Sequence, residues 1–273
     1  MTAREGIGMD ASGEDVAKAF VEARRRAEAL PDYPGARPAD LGQAYQIQDR
    51  ALLLDGRTVA GWKVGRINPP LDAQLGRNRL AGPTFVDTVI PGEDGAEPEM
   101  PIYPSGFAAV EAEFMLHVRA GWSTPPADHQ AAAALIDDVR IGIEIASSPY
   151  PGINTDGPLV TISDFGNNSG LVLGPRIADW TARDLNAITV TMVLDGVQIG
   201  QASAATMLDG PFGAVCFLLG NLAERGIGLG EPLWISTGAV TGVHEVTIGQ
   251  RAAAFFDGIG SVRCRIGAMA PRA

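Results

Sequence analysis

The chain has 273 residues, of which 46% are hydrophobic, so it can fill the core of one large domain with room for a smaller attachment. Its formal charge is −11, with 32 acidic against 21 basic residues, which disfavours binding to nucleic-acid phosphates or anionic membrane surfaces. Two cysteines are too few for a disulfide framework, no apolar run reaches the roughly 18 residues of a membrane span, and the polar N-terminus lacks a secretory signal, so we expect a cytoplasmic protein.

The N-terminal fifth of the chain is predicted to be helical. Residues 1–11 are small and polar and predict a disordered leader. Ser12, followed three residues later by Asp15, resembles a capping box at the start of a first helix. Asp40 is predicted to cap a second helix over residues 41–54, which ends at the Asp-Gly pair that follows.

Short strands and turns dominate the rest of the chain. Strands are predicted over residues 59–65, 110–118, 139–146, 171–173, 188–194, 197–200, 233–236, 243–248 and 262–266. Helices are predicted over residues 128–138 and 211–225, and long loops around Pro69, Pro70 and Pro83 and over residues 147–168. The pattern predicts an α+β fold, with a mixed, mainly antiparallel β core over residues 57–273 and a helical N-terminal region over residues 1–56.

Three glutamates on predicted strands are the strongest functional signal. Glu111 and Glu113 are two residues apart on one strand and therefore point to the same face. Glu144 lies between isoleucines on another strand. A Glu-x-Glu pair also occurs on solvated strand faces, but carboxylates in apolar surroundings are costly to ionise without a positive charge. A divalent cation would supply that charge, so these residues predict a hard-metal site.

Lys63 is the second candidate. The chain has only two lysines, Lys18 and Lys63. Lys63 lies between Trp62 and Val64 on a short strand bracketed by glycines, and such glycines allow a ligand or another backbone to approach closely. A snorkelling surface lysine is the alternative, but this position favours a functional role.

Six short segments spread over residues 45–266 carry a family resemblance. They are Gly61–Gly65, Val110–Glu113, Glu144–Ile145, Asp164–Gly174, Leu208–Phe212 and Ser236–Ala239. Through them the chain resembles the 2-keto-4-pentenoate (2-hydroxypenta-2,4-dienoate) hydratase group of the fumarylacetoacetate hydrolase superfamily. The resemblance implies that residues 57–273 form a catalytic domain of the fumarylacetoacetase C-terminal type.

The resemblance also implies a ligand set and a substrate. Glu111, Glu113 and Glu144 would hold Mg²⁺ or Mn²⁺, and Lys63 would be the active-site lysine. Polar contacts near the substrate would come from the turn Asn167, Asn168 and Ser169. The substrate would be a small 2-oxo or 2-enol acid. Relatives assemble into oligomers, which implies a homo-oligomer, with other enzymes of the same degradation pathway as possible partners.

The implied reaction is the addition of water to a 2-hydroxy-2,4-dienoate, through the 2-oxo-3-enoate, to give a 4-hydroxy-2-oxo acid in aromatic catabolism. Negative charge develops on the C2 oxygen during the initial proton shift, and a metal ion would stabilise it as a Lewis acid. A 4-oxalocrotonate-type 2-oxo acid decarboxylase uses the same charge stabilisation and remains an alternative. A non-catalytic relative that binds a small acid is another.

One departure from the family pattern bears on the mechanism. Relatives carry an acidic residue in a Pro-Asp-(Phe/Tyr)-Gly segment after the lysine strand, whereas residues 79–85 here contain none, and Ala81 stands near that position. Either another group replaces the acid or the substrate differs. Arg66 could meet a distal carboxylate of a dicarboxylic substrate or lie at the surface. Asp164 either supports a site residue or forms an Asx turn.

The histidines do not fit the hydrolase branch of the superfamily, which uses a catalytic histidine near its N-terminus. His117, His129 and His244 all lie later in the chain. His117, at even spacing from Glu113, could support the metal ligands, but we interpret it as packed or surface-exposed. His129 and His244 are interpreted as structural or solvated.

Overall fold

The computed structural model describes residues 11–92, 95–228 and 230–272. The predicted leader, apart from residue 11, lies outside these ranges. Among the described residues no helix has the length and apolar character needed to cross a membrane.

Six α-helices are present in these ranges. They are α1 Ala11–Arg26, α2 Leu41–Asp55, α3 Leu71–Leu75, α4 His129–Ala133, α5 Pro158–Ser163 and α6 Gly210–Arg225. The cap of α2 is as predicted, because the Asp40 side chain accepts the N–H of Gln43 at 2.8 Å. Gly56 ends α2 in the left-handed conformation, with φ 74°, and its N–H reaches Leu52 O at 3.1 Å.

In the part of the chain that the structure describes, thirteen strands form two sheets. They are β1 Val59–Arg66, β2 Arg79–Phe85, β3 Val89–Pro91, β4 Glu99–Ile102, β5 Phe107–Val118, β6 Ile136–Ser148, β7 Asn168–Arg176, β8 Thr189–Leu194, β9 Val197–Ser203, β10 Leu233–Ser236, β11 His244–Glu245, β12 Arg251–Phe256 and β13 Gly260–Ala268. The larger sheet has the order β2-β1-β10-β5-β6-β7-β3, with β11 also paired to β5, and the smaller has the order β4-β13-β12-β8-β9.

The fold class is confirmed as α+β with a mixed, mainly antiparallel β core. The β1–β10, β3–β7 and β4–β13 ladders are parallel, whereas the ladders that join β5, β6 and β7 are antiparallel. The helices α1 and α2 make up the helical N-terminal region.

The long strands β5 and β6 form the centre of the molecule, and each has two different faces. One face carries Phe114, Ile143 and Ile145, which are fully buried in the main core. Phe114 packs edge-to-face on Phe256 of the smaller sheet, with 5.3 Å between ring centroids. The opposite face carries the three glutamates, and because it is also covered, these carboxylates lie within the protein.

The predicted loop through the prolines at 69, 70 and 83 is wrong. It contains the helix α3 and the buried strand β2. Pro83 is typical of a loop, but β2 is the last strand of its sheet, and a proline is tolerated on such an edge strand. Likewise, the predicted loop over 147–168 contains the rest of β6, the helix α5 and a single 3₁₀ turn at Phe165–Asn167.

Several boundaries also differ from the prediction. The predicted helix over 128–138 is only the five residues of α4, because Ile136 already begins β6. The predicted strand over 243–248 shrinks to the two residues of β11. The strands β3, β4 and β12 were not predicted. The first half of β12 is rich in alanine, which carries little strand propensity.

Candidate metal centre

The strand register brings the three predicted metal ligands together. Glu111 on β5 is directly opposite Glu144 on β6, and Glu113 follows two residues later on the same face. Their ligand oxygens all lie within 4.8 Å of one another. Glu113 and Glu144 have 0% of their surface exposed and Glu111 has 6%. The arrangement is therefore a buried carboxylate cluster, unlike a solvated strand face.

Burial and mutual repulsion raise the pKa values of the glutamates Glu111 and Glu113. Burial raises the pKa of Glu111 to about 7, with Lys63 opposing the rise and Glu144 adding to it. Burial together with the charges of Glu144 and Glu111 raises the pKa of Glu113 well above its usual range. The protein without a cation thus disfavours three ionised carboxylates at this position.

In Glu113 and in Glu144, one carboxylate oxygen accepts hydrogen bonds and the second oxygen has no partner among the described residues. Glu113 Oε2 accepts the hydroxyl of Ser236 at 2.5 Å and the N–H of Gly238 at 2.9 Å. Glu144 Oε1 accepts Asn168 Nδ2–H at 2.9 Å. Glu113 Oε1 and Glu144 Oε2 are buried and find no partner within the described parts of the chain. Buried oxygens without partners, in an all-oxygen donor set, fit a hard divalent cation.

Lys63 lies against the cluster on β1. Its Nζ is 3.4 Å from Glu144 Oε1 and donates to Asn167 Oδ1 at 3.2 Å. Burial lowers the pKa of Lys63, but the three glutamates raise it by more, so the net shift is upward. One ammonium against three carboxylates leaves two negative charges when all are ionised, which matches the charge of a divalent cation.

The 3₁₀ turn before β7 supplies polar groups to the same place. Phe165, Gly166 and Asn167 have φ values of 53°, 62° and 58°, a left-handed run that is unfavourable for residues other than glycine. Asn167 bridges Lys63 and Asn154, donating to Asn154 Oδ1 at 2.8 Å.

The three turn residues that the sequence singled out have different surroundings. Asn167 contacts Lys63, and Asn168 contacts Glu144. Ser169 instead donates to Pro101 O at 3.4 Å and lines a separate depression. The structure therefore brings Asn167 and Asn168 to the carboxylate cluster and turns the Ser169 hydroxyl towards Pro101.

A cavity of about 480 Å³ opens onto this cluster, a size typical of small-molecule sites. The buried Lys63, Glu111 and Asn167 line it, together with the exposed Arg66 and the half-buried Met207. The cavity provides space for a small acid next to the carboxylates.

Two arginines, Arg66 and Arg79, also line this cavity. Arg66 and Arg79 are paired across β1 and β2. Arg79 forms an ion pair with Asp209 and donates a hydrogen bond to Leu208 O, so its side chain is fixed in the wall of the cavity. Arg66 is exposed, and the described residues offer it no hydrogen bond or ion pair. Its positive charge therefore faces a place where an anionic group could bind.

The sequence analysis missed Arg24 of α1 altogether. This side chain is 2% exposed and forms an ion pair with Asp164, which is 1% exposed. Helical spacing offered a signal, because Arg24 follows Phe20 by four residues and so falls on the buried face of α1. A basic residue on an apolar helix face predicts a buried partner.

The remaining candidates lie away from the cluster. His117 contacts Asp137 at 2.6 Å and packs on the ring of Trp234, and His244 contacts Thr241. His129 begins α4. Ala81 is buried, and its backbone N–H donates to the hydroxyl of Tyr45 at 3.0 Å, but its methyl side chain cannot transfer a proton.

Comparisons with known proteins agree with the geometry. No family model matches the chain. It is 26% identical over 259 residues to 4-oxalocrotonate decarboxylase of Pseudomonas putida, covering 93% of this chain and 95% of the relative. It is 28% identical over 225 residues to 2-keto-4-pentenoate hydratase of Burkholderia vietnamiensis, covering 80% and 82%.

Solved structures share the fold. The 4-oxalocrotonate decarboxylase from Pseudomonas putida G7, complexed with magnesium and adipate, superposes with a TM-score of 0.78 at 23% identity and covers 93% of this chain and 97% of its own. Fumarylpyruvate hydrolase from Pseudomonas aeruginosa, in complex with Mn²⁺ and pyruvate, gives a TM-score of 0.55 at 16% identity and covers 78% and 91%.

The two sheets share the fold of the fumarylacetoacetate hydrolase superfamily, and the buried carboxylate cluster lies on the larger of them. In sequence, the chain is similar to 2-keto-4-pentenoate hydratases and to 4-oxalocrotonate decarboxylase. The resemblance inferred from six short segments is thereby confirmed.

Proposed function

We propose that this chain is a divalent-metal-dependent enzyme of small 2-oxo and 2-enol acids, and specifically a hydratase. It would add water to a 2-hydroxy-2,4-dienoate, through the 2-oxo-3-enoate, to give a 4-hydroxy-2-oxo acid. The observation that carries the proposal is the buried Glu111–Glu113–Glu144 cluster beside Lys63, with two carboxylate oxygens left without partners. Relatives named as hydratases, and solved relatives complexed with Mg²⁺ or Mn²⁺, support it.

The chain's own groups divide the work. Glu111, Glu113 and Glu144 would hold the cation, which supplies Lewis-acid stabilisation of negative charge on the substrate's C2 oxygen when bound. Ser236 and Gly238 fix one oxygen of Glu113, so the other keeps a single orientation. Lys63, held by Asn167, presents an ammonium to the substrate carboxylate or the developing enolate.

Proton transfer at the substrate requires a group beside the cavity, and Lys63 is the candidate. Its pKa is raised by the three glutamates. If the glutamates held a cation, its charge would offset theirs and so reduce their upward effect on the pKa of Lys63, which would favour release of its proton. Lys63 would then shuttle protons at the substrate without the acid that is absent near Ala81.

Substitution of a single carboxylate tests the proposal. Glu113→Gln keeps the shape of the side chain but removes its charge, so Mn²⁺ affinity and hydration of 2-hydroxypenta-2,4-dienoate should both fall at least about a hundredfold. Calorimetry measures the first and ultraviolet absorbance the second. The matched control is Glu224→Gln on the exposed side of α6, which should change neither. Unchanged Mn²⁺ affinity in Glu113→Gln would refute the ligand assignment.

A second candidate function is decarboxylation of a 2-oxo dicarboxylic acid, and Arg66 favours a dicarboxylic substrate. Lys63 and Arg66 both lie on β1 and both line the cavity, although residues three apart on a strand start from opposite faces. Two separate positive charges at one cavity suit an acid with a carboxylate at each end of a short carbon chain. The relative named 4-oxalocrotonate decarboxylase, solved with adipate, points in the same direction.

Kinetics with both substrate types separate the two functions. Arg66→Gln should raise KM for 2-oxohex-3-enedioate about tenfold or more, the loss of one charge-assisted contact. KM for 2-hydroxypenta-2,4-dienoate should stay unchanged, because that substrate has no distal carboxylate. Release of CO₂ from the diacid identifies decarboxylation, whereas water addition without CO₂ identifies hydration. An equal KM change for both substrates would show that Arg66 does not contact the distal carboxylate.

Other expectations stay predictions. They are the division into a helical region over 1–56 and a catalytic domain over 57–273, a role for Ser169 at the substrate, homo-oligomeric assembly, pathway partners and a cytoplasmic location.

A further inference from the structure

Arg24 of α1 lies at the junction of the chain segments that carry the candidate metal site. Its guanidinium is almost fully buried. Nε donates to Asp164 Oδ1 at 2.5 Å and Nη2 donates to Asp164 Oδ2 at 2.9 Å, which is a bidentate pair. A buried pair of this geometry is rigid, because neither partner has water as an alternative.

The remaining N–H groups of Arg24 reach backbone carbonyls. Nη1 donates to Asn168 O at 3.0 Å, and Nη2 lies 3.2 Å from Ser147 O and 3.3 Å from Asp164 O. Ser147 is three residues beyond Glu144 on β6, and Asn168 begins β7. One side chain therefore ties together the end of the Glu144 strand and the start of the strand beside it.

Aromatic rings complete the enclosure. The guanidinium carbon lies 5.2 Å from the ring centroid of Phe165 and 5.5 Å from that of Tyr103. Phe165 is the first of three consecutive left-handed residues in the 3₁₀ turn. A backbone in that conformation persists only when its surroundings hold it, and Arg24 contacts the turn at both ends and on one ring.

We propose that Arg24 is a positioning residue that fixes the 164–168 segment so that Asn168 holds Glu144 and Asn167 holds Lys63. The effect of Arg24 on metal binding and catalysis rests on the proposed function, because Glu144 and Lys63 are the candidate metal and substrate contacts. Arg24 acts through Asp164 and the Asn168 peptide and touches none of the three glutamates in its own hydrogen bonds. The helix α1 is thereby a structural part of the site, although it lies more than 80 residues before Glu111 in the chain.

The test compares two buried arginines. Arg24→Lys keeps the charge but loses the planar fork. Arg225→Lys is the matched control, because Arg225 also pairs with an aspartate, Asp49, lies over two aromatic rings, and makes none of its hydrogen bonds to residues 164–168. Two properties are measured in the full chain: the Kd for Mn²⁺ by calorimetry, and deuterium uptake of the 164–168 amides in metal-free protein.

The expected result is specific to Arg24. Its lysine variant should bind Mn²⁺ about tenfold or more weakly, the usual effect of removing a group that orients a ligand, and its 164–168 amides should exchange faster. Arg225→Lys should lower Tm but change neither property. If Arg24→Lys does not fold, Asp164→Asn removes the other half of the pair and should give the same two changes.

The two proposals fail in different ways. If wild-type protein does not bind Mn²⁺, the proposed metal-dependent function is wrong, and the exchange measurement still decides the role of Arg24. If Arg24→Lys and Arg225→Lys show equal Mn²⁺ affinity and equal uptake at 164–168, Arg24 is only a stabilising residue and the inference is overturned.

Discussion

At the scale of single residues, the balance of charge around Lys63 decides what the site can do. The ammonium lies 3.4 Å from Glu144 and is nearly inaccessible to water. It stabilises the ionised glutamates in the absence of a cation, and it would repel a cation that binds among them. Lys63 and the glutamates therefore make opposite contributions to metal affinity, although both belong to the proposed catalytic machinery.

Removing the charge of Lys63 should therefore affect metal affinity and catalytic rate in different ways. Lys63→Met should bind Mn²⁺ as tightly as wild type or more tightly, because a repulsive charge has gone, while kcat falls about a hundredfold or more as a proton-transfer group is lost. Calorimetry and steady-state kinetics measure the two. The chain offers its own control in Lys18→Met, since Lys18 is half-exposed and pairs with Glu14 on α1. Retention of wild-type kcat by Lys63→Met would exclude a catalytic role.

At the scale of elements, the site depends on close packing of β2 against the 3₁₀ turn. Gly82 of β2 faces the backbone of Phe165, and a Cβ at this glycine would overlap the Phe165 carbonyl. The same contact keeps the turn close to Lys63, whose register partner on β2 is Gly82. The Phe165 backbone cannot move aside as a flexible side chain can, so the close contact between β2 and the turn requires glycine at position 82.

The packing predicts that two glycine substitutions change the free energy of unfolding in opposite directions. Gly82→Ala should lower the free energy of unfolding by about 2 kcal/mol or more, because overpacking against backbone displaces a strand. Gly220→Ala, inside α6 with open space around its Cβ position, should raise it by about 0.5–1 kcal/mol through helix propensity. Urea denaturation measures both. A stability of Gly82→Ala equal to that of wild type would show that the turn can move away from β2.

At the scale of the whole molecule, the carboxylate cluster links stability to pH and to metal. The folded-state pKa values of Glu111, about 7, and of Glu113 are raised above the usual 4.5 by burial. A carboxyl whose pKa is higher in the folded state binds protons more readily when folded. Its contribution is therefore present at low pH and is lost as the pH rises through the folded value.

The metal-free protein should accordingly have a higher Tm at pH 6 than at pH 8. Saturating Mn²⁺ should raise Tm more at pH 8 than at pH 6, since protons compete with the cation for the carboxylates. Scanning calorimetry with and without Mn²⁺ measures both trends, and Glu113→Gln should flatten them. A Tm of the metal-free protein that rises from pH 6 to pH 8 would contradict the raised pKa values.

Some helices and strands could be predicted from the sequence and others could not, and the difference has physical causes. The helix α2 was predicted well because its cap residues, Asp40 and Gly56, are adjacent to it in the chain. The strand β2 was missed because Pro83 suggests a loop, and only its position at the end of the sheet order accommodates a proline. The strand β12 was missed because its alanines gain their burial from β8 and β13, which are elsewhere in the chain.

The candidate site divides in the same way. Alternation along a strand already placed Glu111 and Glu113 on one face, and the isoleucines around Glu144 indicated burial, so the chain's local pattern determined which residue types could form a hard-metal site. Only the tertiary structure decided that Glu144 is opposite Glu111, that Lys63 completes the cluster, and that Arg24 braces it through Asp164. Strand register and contacts between residues 33 to 140 positions apart depend on how whole elements pack, and no local periodicity encodes them.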